Sequence, residues 1–299
     1  MDSFLVYEQI HIKPDMSFGC FIMVDFLQAA ILGLVQGLTE WLPVSSSGHL
    51  ALLQLAMGLK IPVFFDLILH IGTLAGVIAI YKKDILSIIC TIFAFFATYL
   101  PFKNSFVRKF SINKYDVKMI RLIIIGMVPT GVIGIAFKSF FVFSFQDATA
   151  IAVGFLVTGI LVLLTKFLKS GDREPGNTDA LLIGIGQGLS IFSSVSRSGA
   201  TLSIGMFRKL TIPSLVKYSF LLSIPAILGA SIFDIVTSDE EALAQMYSIP
   251  IISYVVGTLV SAIVGFISIK FLIHIINNES FYLFSFYCFA IGLISYLLL

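Results

Sequence analysis

"QGLTEWLPVSSSGH" (residues 36–49) sets Gln36, Glu40, three serines and His49 between the apolar runs "FLQAAILGLV" (26–35) and "LALLQLAMGL" (50–59). The chain around it, 299 residues long, is 58% hydrophobic and 12% charged, with a mean hydropathy of +1.02. Apolar runs recur at 63–81, 84–100, 119–137, 148–168, 214–236, 249–273 and 281–299. Most approach the roughly 20 residues that a helix needs to cross a bilayer core. Such runs exclude a soluble globular protein, and their length without strict alternation excludes a barrel. An all-α polytopic membrane protein is expected, surrounded by membrane lipids and with no nucleic-acid partner. The net charge of +2 decides nothing, because basic residues act here by position.

The polar stretch has a second copy, "QGLSIFSSVSRSGA" (187–200), identical at seven of fourteen positions. The likeness continues, with "FFDLILHIGTLAGV" (64–77) facing "KYSFLLSIPAILGA" (217–230). Two repeats, 24–170 and 178–299, therefore form one integral membrane domain behind a tail, 1–23. That tail lacks the basic start and cleavage site of a signal peptide, and Met16 and Met23 are alternative starts. The differences between the copies carry more information than the identities. Glu40 faces Ile191, Ser46 faces Arg197, and His49 faces Ala200. A repeat kept for structure alone has no reason to divide charges in this way. The two copies read as halves of one site.

Charge also orients the chain. Lys82–Lys83, the group Lys103, Arg108, Lys109 and Lys114, the group Lys166, Lys169 and Arg173, and the group Arg208, Lys209 and Lys217 mark cytoplasmic loops. The acidic linker "TSDEEALAQ" (237–245) holds no base and lies outside. Segment 84–100 then cannot cross and is expected at the inner face. Segments 178–192 and 198–210 begin and end at basic loops and are too short to span. They form a re-entrant hairpin, and its counterpart at 26–58 enters from the opposite side. The expected architecture is two inverted-topology repeats, each with a re-entrant helical hairpin plus three transmembrane helices. Irregular backbone at membrane depth is tolerated only where protein or a watery cavity surrounds it. The polar stretch is expected to be a site.

Gln36 and Glu40, four residues apart, share one helix face. A charge at that depth costs about 3 kcal/mol or more and needs a partner; an ion pair with Arg197 is the plainer alternative to a catalytic role. Ser45, Ser46, Ser47 and Gly48 form a hydroxyl-rich turn leading into a helix, the kind of nest that binds phosphate. Ser196, Ser198, Gly199 and Thr201 repeat it, and Arg197 adds a guanidinium fork. Simple N-capping by the serines stays the plainer alternative. Two nests, an arginine, a carboxylate and an imidazole suggest phosphoryl transfer, with Gln36 and Glu40 as candidate ligands for Mg2+ or Ca2+. His49 reads as acid or base. Ser46, three residues earlier, reads as a nucleophile or, if water attacks, as a phosphate ligand. His70, His274 and Trp41 read as packing or interfacial residues, and Asp66 is open between cavity and core. Cys20, Cys90 and Cys288 show no metal spacing and read as buried small hydrophobes.

"GLVQGLTEWLPVSSSGH" (33–49) and "SVSRSGATLSIGM" (194–206) resemble the two signature motifs of the undecaprenyl-diphosphatase family, the bacitracin-resistance type of membrane phosphatase. The likeness covers essentially residues 24–299. It implies hydrolysis of a polyprenyl diphosphate to the monophosphate with a divalent cation, at a site opening on the extracytoplasmic face of the cell membrane. Catalytic roles would fall to Glu40, Ser46, His49 and Arg197, with Gln36 standing where many members carry Glu. The family pattern P-G-x-S-R-S-G is broken here, since Ser193–Ser194 replace Pro-Gly; a different backbone is expected in the second turn. The competing class is a flippase of phosphorylated polyprenols, because inverted repeats with broken helices are above all a transporter architecture. The acid, base and hydroxyl set at Glu40, Ser46 and His49 favours the enzyme. A homodimer stays open.

Overall fold

The computed structural model describes residues 24–58, 61–97, 112–144, 147–169, 171–192, 194–238, 246–247 and 249–298. The tail 1–23 with Cys20, the basic positions Lys103, Arg108 and Lys109, and linker residues 239–245 lie outside the described residues. Among the described residues every extended element is helical: α1 (Phe26–Trp41), α2 (Ser46–Met57), α3 (Val63–Ala97), α4 (Lys114–Ala136), α5 (Lys138–Ser144), α6 (Ala148–Leu164), α7 (Asn177–Leu189), α8 (Arg197–Phe207), α9 (Ile212–Thr237), α10 (Ile251–Asn277) and α11 (Phe284–Leu298). Five of these, α3, α4, α6, α9 and α10, are long and apolar enough to cross a membrane. The chain is a multi-pass membrane protein. The run at 281–299 gives a 3-10 turn followed by the 15-residue α11, short of the roughly 20 residues a crossing takes.

α3 runs for 35 residues and changes direction at Tyr81 (φ −100°, ψ 19°), directly ahead of Lys82–Lys83. Segment 84–97 is therefore a continuation of the preceding span beyond a kink, not a detached helix. α1 starts on a capping box: Asp25 Oδ1 accepts from Gln28 N (2.7 Å) and Gln28 Oε1 accepts from Asp25 N (3.0 Å). It ends ahead of Pro43. α2 opens on Ser45, whose Oγ accepts from Gly48 N (3.3 Å), and α8 opens on Ser196, whose Oγ accepts from Gly199 N (3.1 Å). The same device starts the second half of each hairpin.

The helices pack on partners distant in the chain. α1 lies along α10, α7 lies along α4, and α6 packs on α11. Backbones approach closely where α1 meets α10: a methyl group on Gly33 would come within 2.5 Å of Gly257 O. Small residues at such crossings let van der Waals contact hold helices together where no hydrophobic effect acts between them. The ends of the second hairpin are tied together at one end of the molecule. Asp179, at the start of α7, accepts from Arg173 (2.8 and 2.9 Å), from Gly176 N (2.9 Å) and from Arg208 Nε (2.8 Å) just past α8. Burial pushes the Asp179 carboxyl up, but the hydrogen bonds from Arg173 and Arg208 outweigh it and hold the group well below the usual carboxylate range.

The second turn answers the missing Pro-Gly. Ser194, where the family pattern has glycine, adopts φ 59°, the left-handed region that costs an L-residue about 1–2 kcal/mol. The backbone there is one glycine adopts freely, built with serine. Ser194 is fully buried and, among the described residues, its hydroxyl has no partner. Its Cβ would stand 2.8 Å from a methyl on Gly48, so the two motif turns touch here. Ser194→Gly is expected to stabilise the protein by about 1 kcal/mol, the relieved strain and lost orphan hydroxyl exceeding glycine's entropy cost. A thermal midpoint in detergent measures this, and an unchanged or lower midpoint contradicts it.

Candidate active site

Glu40 lies in the last turn of α1, buried at 6% exposure. Its Oε2 accepts from Gln36 Nε2 (2.9 Å) and from Ser46 Oγ (2.6 Å), while Arg197 Nη2 donates to Oε1. Ser46 is the first residue of α2 and Arg197 the first residue of α8. Ser46 and Arg197, which occupy matching positions of the two copies, thus converge on one carboxylate. The guanidinium also lies 5.2 Å from the Trp41 ring, in cation–π range. Trp41 is buried at 1% exposure, so it is a floor for Arg197 as well as a packing residue.

His70 was not legible as part of this group. Its Nε2 stands 3.4 Å from Glu40 Oε2, and its Nδ1 bonds Asp66 O (2.8 Å). Asp66 itself accepts from Gln54 Nε2 (3.1 and 3.4 Å) on α2; no bond links it to Glu40. A signal existed in the sequence, since His70 follows Asp66 by four residues and shares its helix face.

His49 is placed apart from the Ser46–Glu40 pair. Its Nδ1 bonds Ser45 O (2.6 Å) and its Nε2 bonds Tyr287 Oη (2.7 Å). The Ser46 hydroxyl therefore meets Glu40, not His49. The other nest residues are largely committed to structure. Ser198 Oγ donates to Leu42 O (2.9 Å), and Ser196 Oγ lies 3.1 Å from Ser198 Oγ, seaming the second turn to the first. Ser45 Oγ and Ser47 Oγ lie 3.3 Å apart. The Gly48 and Gly199 amides serve the caps. Thr201 Oγ1 donates to Arg197 O (3.0 Å) and meets Ser219 Oγ (2.7 Å), toward α9.

Among the described residues no three His, Cys, Asp or Glu side chains cluster to hold a metal by themselves. One donor is nonetheless ready: Gln36 Oε1 is buried without a partner, beside the Glu40 carboxylate. An amide and a carboxylate oxygen suit a hard cation that completes its shell with substrate phosphate and water. Cys288, fully buried, donates to Pro43 O (3.3 Å), and Cys90 is a free, half-buried thiol; neither approaches a metal cluster.

Comparison with known proteins bears on this geometry. The sequence model of the bacitracin resistance protein BacA family matches residues 29–294. An undecaprenyl-diphosphatase of Carboxydothermus hydrogenoformans is 38% identical over 273 residues, covering 90% of this chain and 95% of its own. One of Korarchaeum cryptofilum is 37% identical over 270 residues (90% and 98%), and one of Methanosphaera stadtmanae 36% over 282 (92% and 99%). Full-length likeness at this identity, spanning both motif turns that meet at Glu40, leaves one conclusion: the chain belongs to the bacitracin resistance protein BacA family.

Proposed function

We propose that this membrane phosphatase hydrolyses undecaprenyl, or a similar polyprenyl, diphosphate to the monophosphate and inorganic phosphate. That reaction would recycle the lipid carrier of cell-envelope synthesis and confer bacitracin resistance. The observation that carries the mechanism is the 2.6 Å bond from Ser46 Oγ to Glu40 Oε2, with Arg197 on the same carboxylate. A hydroxyl at hydrogen-bond distance from a buried base, beside a guanidinium, is the arrangement of an activated nucleophile with its anion holder.

Ser46 Oγ attacks the terminal phosphorus as its proton passes to Glu40 Oε2, and the bond to the bridging oxygen breaks, releasing polyprenyl monophosphate. That leaving group departs as a stabilised anion and needs no proton. Arg197 exchanges the carboxylate for the transferring phosphoryl oxygens and neutralises their charge. Water then attacks the phosphoserine, giving its proton to His49 Nε2, while Glu40 returns its proton to Ser46 Oγ. Inorganic phosphate leaves. Gln36 Oε1 and Glu40 would hold Mg2+ or Ca2+, which when bound lowers the charge of the diphosphate. Ser45, Ser47, Ser196 and Ser198 act mainly by fixing the two turns.

The finer architecture follows the same reading: two inverted repeats of a re-entrant hairpin plus three transmembrane helices, the last of them α11 together with the 3-10 turn ahead of it, with the site open to the extracytoplasmic face. Two observations support it. Gly184 of α7 meets Gly126 of α4 as closely as Gly33 of α1 meets Gly257 of α10, so equivalent hairpin helices dock on equivalent partners. The ends of the second hairpin also meet at Asp179. A cysteine placed at Arg173 should react with an impermeant thiol reagent only from the cytoplasmic side; reaction from outside would reverse the orientation. The function is tested with purified protein and a polyprenyl diphosphate, with and without divalent cation. No phosphate release under any condition would refute it.

A further inference from the structure

We infer that Tyr287 of α11 is a positioning residue for His49, fixing which ring nitrogen receives the proton. The inference rests on the reading of His49 as proton acceptor in the second step. Ser45 O can only accept, so the His49 Nδ1 that meets it at 2.6 Å carries the hydrogen in the neutral ring. The lone pair is then on Nε2, and the Tyr287 hydroxyl, 2.7 Å away, donates to it. The two rings are stacked, with centroids 5.6 Å apart and planes 10° from parallel. Phe155 of α6 stands edge-on at 5.2 Å and 90°. The imidazole is thus held at both nitrogens, on one face and against an edge.

The tyrosine is itself held. Its neighbour Cys288, fully buried, donates to Pro43 O (3.3 Å) in the turn between α1 and α2. α11 therefore delivers adjacent side chains to the first motif, one to its backbone and one to its imidazole. A tyrosine oxygen both donates and accepts. The hydroxyl turns off the Nε2 lone pair before that nitrogen takes a proton from water and then accepts from the new N–H, so the contact is present in both charge states. Tyr287 keeps its own proton throughout, and the proton on Nε2 leaves to solvent.

The test is a cycle of Tyr287→Phe and His49→Ala, read as kcat and KM for phosphate release, together with 15N spectra of histidine-labelled protein. Phenylalanine keeps the stacked ring and removes only the hydroxyl. Tyr287→Phe alone is expected to lower kcat about tenfold with KM unchanged, the loss of one hydrogen bond at the reacting group. In the His49→Ala background it should do nothing further, and the Nε2 resonance absent from His49→Ala should shift in Tyr287→Phe. Independent, multiplying effects of the two substitutions, or an unmoved resonance, would overturn the inference while leaving His49 in its role. Full turnover in His49→Ala would overturn the inference together with the reading beneath it.

Discussion

Ser46→Ala is expected to cut phosphate release by about 10,000-fold or more, the scale seen when a nucleophile is removed from a concerted set. Among the described residues no other hydroxyl bonds Glu40: Ser45 and Ser47 pair with each other, and Ser196 and Ser198 face Leu42 O. If water attacked directly, Ser46→Ala would lose one hydrogen bond to a charged group, about 1.5–3 kcal/mol, or roughly ten- to a hundredfold in rate. The two mechanisms are separated by two orders of magnitude, well beyond assay error. Rapid quench of the wild type should also trap a phosphoserine at Ser46. A tenfold loss with no trapped species would hand the attack to water and leave Ser46 a phosphate ligand.

Glu40→Gln should lower kcat by about 100- to 10,000-fold, the range for removing a general base, with the fold intact. Glutamine keeps the shape but has a single acceptor oxygen, so it retains the bond from Ser46 or the one from Arg197 and not both, and it does not take up the hydroxyl proton. Arg197→Ala should be as damaging to turnover for a different reason and should also reduce stability. It strips the guanidinium from a carboxylate that is 6% exposed, and breaking one side of a buried pair costs about 3–5 kcal/mol. The contrast is the measurement: similar losses of turnover, but a larger fall in thermal midpoint for Arg197→Ala, which leaves a bare buried carboxylate where Glu40→Gln leaves a neutral amide beside the guanidinium. Wild-type-like turnover in either variant would remove the proposed site.

Charge division between the copies made the Glu40–Arg197 meeting legible before any coordinates, because a buried acid and a buried base in matching turns each need a partner. The serine N-caps were legible too, and the structure gives Ser45 and Ser196 that plainer role. What the sequence hid was side-chain direction. Ser46 and His49 look paired at a spacing of three, yet His49 turns to a tyrosine 238 residues away, a contact no local pattern encodes. His70 looked like packing because a lone imidazole in an apolar run usually is. The loss of Pro-Gly in the second turn was legible, but not that Ser194, buried against Gly48, stands in the left-handed region.

The docking of α1 on α10, and of α7 on α4, sets a schedule for biosynthesis. The ribosome makes α1 first, but its close-fitting partner is complete only at Asn277. Until α8 is made Glu40 enters the membrane without Arg197, and until α10 is made the Gly33 surface lacks the helix it lies against. The N-terminal half must therefore wait at the insertion machinery, or in a wetter, looser arrangement, for the C-terminal half to arrive. Each half leaves a close-fitting helix face uncovered until the other is made. For the same reason, the two halves made as separate chains hold complementary surfaces and have what they need to find each other in the bilayer.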